Sequence, residues 1–168
     1  MRLIFAAAAL LLALAGPAAA QTRTLIEING WRVTVSPSPA GPICSMGTDA
    51  NTLGRAFWMR VERLRGDLHG YVHISDRSWS VPRDNRGSLA LFIDSRRANL
   101  SWTGTSTPTR IEASYLNAWG NFMNFVQAFA GGNTLRITFP NSQLQPWNAD
   151  LRGTRRVTDV FLNCIRSM

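Results

Sequence analysis

The sequence predicts an α+β fold in which a mainly antiparallel sheet, either a sandwich or a single curved sheet, packs against two helices. Short segments that alternate apolar and polar residues, separated by Gly, Pro and Asn turn signals, indicate the strands. Apolar residues at spacings of three and four indicate one helix near 117–130 and a C-terminal helix near 155–166. Residues 21–168 have the length of one domain, so a single exported β-rich domain is expected.

The predicted strands begin within 25–35, where alternation on both sides of Asn29-Gly30 indicates two short strands and a tight turn, or one strand with a bulge. A loop with Pro37, Pro39 and Pro42 follows, because proline lacks the amide donor that strand pairing needs. The other predicted strands are 57–62, one starting at 71–74, 79–81, 88–94, 99–103, 109–115, 134–139 and 144–151.

The two predicted helices have capping signals and one apolar face each. Asn117 is the predicted N-cap of the first helix and Gly131-Gly132 its end, while Thr154 is the predicted N-cap of the second. The aromatic stripe of the first helix is expected to be core rather than a ligand site. The apolar positions are Ala118, Trp119, Phe122, Phe125, Val126 and Phe129 in the first helix, and Val157, Val160, Phe161, Cys164 and Ile165 in the second.

Residues 1–20 have the pattern of a cleaved signal peptide. Arg2 precedes an apolar run over 3–15, and the small residues 18–20 predict a cut after Ala20. The run is short for a membrane span, so an uncleaved anchor is the less favoured alternative. No second apolar run has spanning length, and a periplasmic or secreted protein without a transmembrane segment is expected.

The two cysteines predict a disulfide. Cys44 and Cys164 are an even pair in a chain expected to reach an oxidising compartment, and they allow a single intramolecular pairing. The bridge would connect the C-terminal helix to the sheet.

The chain is strongly basic, with 18 basic residues, 10 acidic residues and a formal net charge of +8. Every basic residue is arginine, which fits either a surface for polyanions or an arginine-favouring composition used for solubility. Export makes intracellular nucleic acid an unexpected partner, and leaves lipopolysaccharide or an acidic glycan as the polyanion to consider.

The two histidines form the one arrangement that suggests catalysis. Asp67, His69, Tyr71 and His73 would share one face of a strand, where they could serve a small periplasmic hydrolase or bind a metal. Strand geometry places positions four apart at about 13 Å, so His69 and His73 are weak metal candidates. No nucleophile or phosphate-loop signature occurs, and neither a catalytic residue nor a cofactor is assigned.

Tryptophan and arginine are the residues most often found at binding hot spots. Trp58, Trp79 and Trp102, with Arg96 and Arg97, are therefore candidates for contact with a partner. Trp119 could extend the same platform. The alternative is that these tryptophans fill the core.

The order of features along the chain resembles a known family. A strand with Trp31 and then Cys44 precede a helix with Phe122, Phe125 and Phe129 that ends in Gly-Gly, and the strand 135–139 follows. The chain closes on Leu151-x-Gly153-Thr154 and a helix with Phe161 and Cys164. This order is similar to that of the invasion-associated locus B family of small exported bacterial proteins. The resemblance implies a β-rich periplasmic or secreted fold with a role in the envelope or in host contact, and it carries over no catalytic residues.

The expected function is that of a non-enzymatic exported protein that binds a macromolecular partner, either a protein or an envelope component. A hydrolase on the Asp67/His69/His73 face and a polyanion-binding surface are the two alternatives.

Overall fold

A computed structural model describes residues 21–49, 54–114 and 119–168, and shows an antiparallel sheet of ten strands with two helices. The predicted α+β class is confirmed. The predicted signal peptide over residues 1–20 and the helix positions Asn117 and Ala118 lie outside the described residues. The strands are β1 (Arg23–Ile28), β2 (Trp31–Ser36), β3 (Ile43–Thr48), β4 (Arg55–Leu64), β5 (Asp67–Asp76), β6 (Arg86–Ile93), β7 (Arg96–Gly104), β8 (Arg110–Ser114), β9 (Thr134–Thr138) and β10 (Trp147–Asp150), and the helices are α1 (Trp119–Gly131) and α2 (Thr154–Arg166).

The strands form one sheet in the order β1-β2-β3-β4-β5-β8-β7-β6-β9-β10. The sheet curves strongly, because the turn after β1 reaches the residues that follow β10 at the other end of this order. The side-chain amide of Asn29 donates to the Arg152 carbonyl at 3.2 Å, and the Trp31 indole donates to the Asp150 carbonyl at 2.8 Å. Of the two predicted arrangements, the single curved sheet is therefore the one observed.

The turn between β1 and β2 follows the sequence signal. Asn29 and Gly30 both have positive φ, 52° and 78°, as a two-residue type I′ hairpin turn requires. Of the two alternatives, two strands with a tight turn is therefore the one observed. The β1–β2 register also shifts between Thr24 and Ile26, an irregularity within β1 that the sequence did not predict.

The predicted strand 79–81 is wrong. These residues lie in the connection between β5 and β6, where the Trp79 amide donates to Asp76 and the Val81 amide to Pro108. The alternation of apolar residues has a different cause, because Trp79 and Val81 are buried as anchors that hold this loop on the core. Pro82, which has no amide donor, follows directly.

The inner face of the sheet and the two helices enclose the hydrophobic core. The predicted aromatic stripe of α1 is confirmed as core, since Phe122, Val126 and Phe129 are fully buried and Phe125 nearly so. The rings of Phe57 on β4 and Phe129 stack at 5.9 Å between centroids. In the described part of the chain, neither helix has the length and apolarity needed to cross a membrane.

The C-terminal helix is fastened to the sheet by the predicted disulfide. Cys44 on β3 and Cys164 on α2 are bonded, with their Cα atoms 6.0 Å apart. The predicted N-cap is wrong, because Gly153 occupies that position and Thr154 is the first helical residue. The Thr154 hydroxyl instead donates to the Phe129 carbonyl at 3.0 Å, so it bonds α2 to α1 rather than capping its own helix.

Candidate functional site

Polar and charged side chains collect on the outer face of the sheet, opposite the core. Strand side chains alternate between faces, so the residues that interrupt each apolar pattern must point outward together. The antiparallel register then aligns them across strands: Arg32, Gly47, Trp58, His73 and Glu112 form one row. A neighbouring row contains Thr34, Ser45, Arg60 and Tyr71.

Gly47 makes room for the indole of Trp58. A Cβ atom on Gly47 would lie 2.6 Å from that ring and 2.2 Å from the Phe57 carbonyl oxygen, so no larger residue fits between β2 and β4 here. The Arg32 guanidinium lies across the same gap, 5.3 Å from the centre of the Trp58 ring, within cation–π range. Arg32 also pairs with Asp49, while its buried Nε has no hydrogen-bond partner.

The other charged groups of these rows are held by hydrogen bonds. His73 Nε2 donates to Glu112 Oε2 at 2.8 Å, and this bond lowers the pKa of Glu112 although partial burial opposes the shift. Arg60 Nε donates to the Ser45 hydroxyl at 3.2 Å. Burial raises the pKa of Tyr71 to about 12, so its hydroxyl remains protonated at neutral pH.

A cavity of about 450 Å³ opens over these residues, and we call it the outer-face site. Three arginines surround it, Arg32, Arg60 and Arg110. In the described residues, Arg60 and Arg110 form no ion pair, although the Arg60 charge also contributes to the lowered pKa of Glu112. The remaining lining residues are Thr22, Thr34, Ser36, Ser45, Asp49, Ala56, Trp58, His73 and Ser75.

The outer-face site offers guanidinium groups, hydroxyl groups and an aromatic ring. A serine nucleophile needs a base within hydrogen-bond reach, but the Ser45 hydroxyl accepts from Arg60 and the His73 nitrogen faces Glu112. Guanidinium groups, hydroxyls and an aromatic face are instead suited to an anionic ligand that carries hydroxyl groups.

The structure does not bring the other predicted partner-binding residues to the outer-face site. Trp79 and Trp102 are 7% and 3% exposed and line a separate cavity of about 480 Å³. Arg96 and Arg97 start β7 and line a third cavity, beside α1. Trp58 is the one predicted tryptophan that lies at the outer-face site.

The predicted histidine face is a row along β5 rather than a cluster. His73 lies at the outer-face site, whereas His69 is opposite Glu62 on β4, and Asp67 is the first residue of β5. Among the described residues, no three His, Cys, Asp or Glu side chains are grouped so that they could hold a metal ion.

The three arginines of the outer-face site, Arg32, Arg60 and Arg110, were not identified as site residues from the sequence. Their positions in the apolar–polar alternation indicated that they point outward, but nothing in the sequence indicated that they lie close together. The sequence did not predict the order of the strands in the sheet. In that order β8 lies between β7, which precedes it in the chain, and β5, which is distant in sequence. Without that order, Arg110 could not be placed next to Ser75, its register partner on β5.

Comparison of the chain with protein-family models, with curated proteins and with solved structures found no match.

Proposed function

We propose that this protein is an exported, non-enzymatic binding protein whose outer-face site holds an acidic macromolecular ligand, such as an envelope glycan. The observation that carries this proposal is the convergence of three arginines and the half-buried indole of Trp58 on one cavity of about 450 Å³. The formal net charge of +8 supports it, because a basic protein attracts anionic ligands over several ångströms of water.

Two features support export. The first 20 residues have the sequence pattern of a signal peptide, and the Cys44–Cys164 disulfide is compatible with an oxidising compartment. The resemblance to the invasion-associated locus B family implies the same periplasmic or secreted location, where acidic glycans and lipopolysaccharide are available.

The three arginines of the outer-face site have different roles, which favours a specific ligand over general attraction of anions to a basic protein. Asp49 already neutralises Arg32, which leaves that side chain to position the Trp58 ring. Arg60 and Arg110, which form no ion pair within the described residues, then supply positive charge, and Ser45 and Ser75 line the same cavity. A sugar acid bound here would place its carboxylate or sulfate on these arginines and a ring face on Trp58.

The test is calorimetric titration of the disulfide-bonded protein with heparin, using neutral dextran for comparison. We expect heparin to bind and dextran to show no heat, with heparin affinity falling as salt is raised because charge pairs are screened. The double variant Arg60→Gln/Arg110→Gln should bind heparin at least about tenfold more weakly, and Trp58→Ala should also weaken binding.

The matched control is Arg155→Gln/Arg156→Gln, which removes two exposed arginines from α2, away from the outer-face site. This control should bind heparin almost as the unaltered protein does. Equal losses in the two double variants would show that net charge alone drives binding, and would refute the outer-face site.

A further inference from the structure

The cavity of about 480 Å³ beside Trp79 and Trp102 lies where the β5–β6 and β9–β10 connections meet. The β5–β6 connection contributes Trp79 and Val81, β7 contributes Trp102, and the β9–β10 connection contributes residues 141–145. We call it the loop cavity. Its volume is typical of small-molecule sites, and no described residue lines both this cavity and the outer-face site.

The aromatic walls of the loop cavity are held in place by close packing. The Trp79 ring meets Phe139 edge to face, with 5.4 Å between centroids, and the Trp79 backbone amide donates to the Asp76 carbonyl. Trp102 lies so close to Gly87 that a Cβ atom there would be 2.5 Å from the indole ring. Fixed aromatic rings give a ligand apolar surface at little entropic cost, so these walls are preorganised for binding.

The two indole N–H groups of these walls differ in their hydrogen bonding. The Trp102 N–H donates to the Ser88 carbonyl at 3.2 Å, whereas the buried Trp79 N–H has no acceptor among the described residues. A buried donor without a protein partner indicates an acceptor from outside the chain, such as a ligand oxygen. Trp79 is 7% exposed and lines the loop cavity, so the cavity is the place from which that oxygen can reach it.

Carboxamide and hydroxyl groups form the polar walls. Leu144 fastens the β9–β10 connection, because its side chain packs against the core and its backbone amide donates to the Ser142 hydroxyl at 3.2 Å. Arg86 is the one charged residue among the described residues that line the cavity, so a ligand there needs hydrogen bonds more than an opposite charge. Four exposed carboxamide side chains line it: Asn85, Asn141, Gln143 and Gln145.

We propose that the loop cavity binds a neutral N-acetylated sugar, independently of the acidic ligand of the outer-face site. The acetamido group of such a sugar has an N–H donor, a carbonyl acceptor and a methyl group. Carboxamide side chains both donate and accept, and the apolar side chains of Val81 and Leu144 suit the methyl group. The sugar ring lies against Trp102, and one of the sugar oxygens accepts from the Trp79 N–H.

The probe is diacetylchitobiose, compared with cellobiose, which has a hydroxyl group in place of each acetamido group. In calorimetric titration of the disulfide-bonded protein, we expect the acetylated sugar to bind at least about tenfold more tightly than cellobiose. Salt should change its affinity little, because the sugar carries no charge to be screened. A blocked diglycine peptide, which has amides but no sugar ring, should also bind at least about tenfold more weakly. Equal binding of either comparison compound, or no binding of the acetylated sugar at millimolar concentration, overturns the proposal.

Two tryptophan variants test the indole N–H directly. Trp79→Phe removes the donor and keeps an aromatic ring. Trp147→Phe is the matched control, because the Trp147 N–H is also buried without a partner in the described chain, while Trp147 is not among the described residues that line the loop cavity. The first variant should bind the acetylated sugar at least about tenfold more weakly, and the second should bind it unchanged. Equal affinities of the two variants would contradict the assigned contact.

Two further measurements locate the site without altering a buried residue. In NMR spectra of the unaltered protein, one indole N–H resonance should move downfield as the acetylated sugar binds, because Trp79 gains an acceptor. Gln143→Ala/Gln145→Ala changes two exposed side chains of the cavity and should weaken binding at least about tenfold. Arg60→Gln/Arg110→Gln, at the outer-face site, should leave it unchanged. The proposal fails if no indole resonance moves, or if the glutamine variant binds as tightly as the arginine variant.

Discussion

At the scale of single residues, Asp76 at the end of β5 is the most constrained charge of the described chain. Its side chain is 3% exposed and accepts hydrogen bonds from the amide and hydroxyl of Ser78 and from Arg55 Nε. Burial alone would raise the pKa of Asp76, but the Ser78 and Arg55 bonds outweigh it and hold the pKa below the ordinary value of 3.8. The carboxylate therefore fastens the loop after β5 to the start of β4.

We predict that Asp76→Asn lowers the free energy of unfolding by about 2–3 kcal/mol at pH 7, because Arg55 loses its partner in a largely buried place. The folded pKa of Asp76 is depressed, so its contribution is full above pH 3.8 and is lost as the pH falls through the folded pKa. Urea unfolding at several pH values should therefore show the variant and the unaltered protein converging below pH 3.8. Asp159→Asn, an exposed carboxylate on α2, is the control and should change stability by less than about 0.5 kcal/mol.

At the scale of elements, the periodicity of apolar residues predicted the positions of most helices and strands. It predicted less well which contacts are made at their ends and in the loops between them. Both helices and the Asn29-Gly30 hairpin occur where the pattern placed them, since their signals are local. The N-cap prediction for Thr154 was wrong because its hydroxyl is used in a tertiary contact, the bond to Phe129 on α1. The strand prediction for 79–81 was wrong for a related reason, since burial of Trp79 and Val81 against the core imitates strand alternation. Contacts of this kind join segments that are distant in sequence, so the local sequence pattern does not reveal them.

We predict unequal effects for two threonines on α2 that are equally buried. Thr154→Val should lower the free energy of unfolding by about 1–3 kcal/mol, because the Phe129 carbonyl loses a hydrogen bond in the interior. Thr158→Val is the matched control, since the Thr158 hydroxyl faces the Met46 sulfur at 3.6 Å, a weak acceptor. In urea titration, Thr158→Val should change the free energy of unfolding little. Thr154→Ser keeps a hydroxyl and should be nearly as stable as the unaltered protein. Equal effects of the two valine substitutions would contradict the role assigned to the Thr154 bond.

At the scale of the whole molecule, the two ends of the curved sheet are joined by a few long-range contacts. The indole of Trp31 bonds the Asp150 carbonyl, the Asn29 amide bonds the Arg152 carbonyl, and the disulfide connects β3 to α2. The sequence predicted this disulfide from cysteine count and compartment alone. It could not predict the outer-face site, because Arg32, Arg60 and Arg110 become neighbours only through the strand order β2-β3-β4-β5-β8. That order depends on how the sheet closes rather than on any local pattern.

We predict that the disulfide accounts for much of the stability of this closure. Its cysteines are 120 positions apart, and the chain-entropy relation gives about 4–5 kcal/mol for a loop of that length. Cys44→Ala/Cys164→Ala should therefore lower the free energy of unfolding by an amount approaching this value in guanidinium titration. Reductant should destabilise the unaltered protein similarly and leave the double variant unchanged, which is the control.

Hydrogen exchange can show which strands and helices the disulfide stabilises. Since α2 packs against β1, β2 and β3, loss of the bridge should accelerate exchange first in these three strands and α2. Amides of β6 and β9, which pair with each other away from the bridge, should stay protected until global unfolding. Uniform acceleration of exchange across all ten strands would mean that the sheet opens as one unit. The disulfide would then stabilise the protein only by restricting the unfolded chain, and not by holding one end of the sheet against the other.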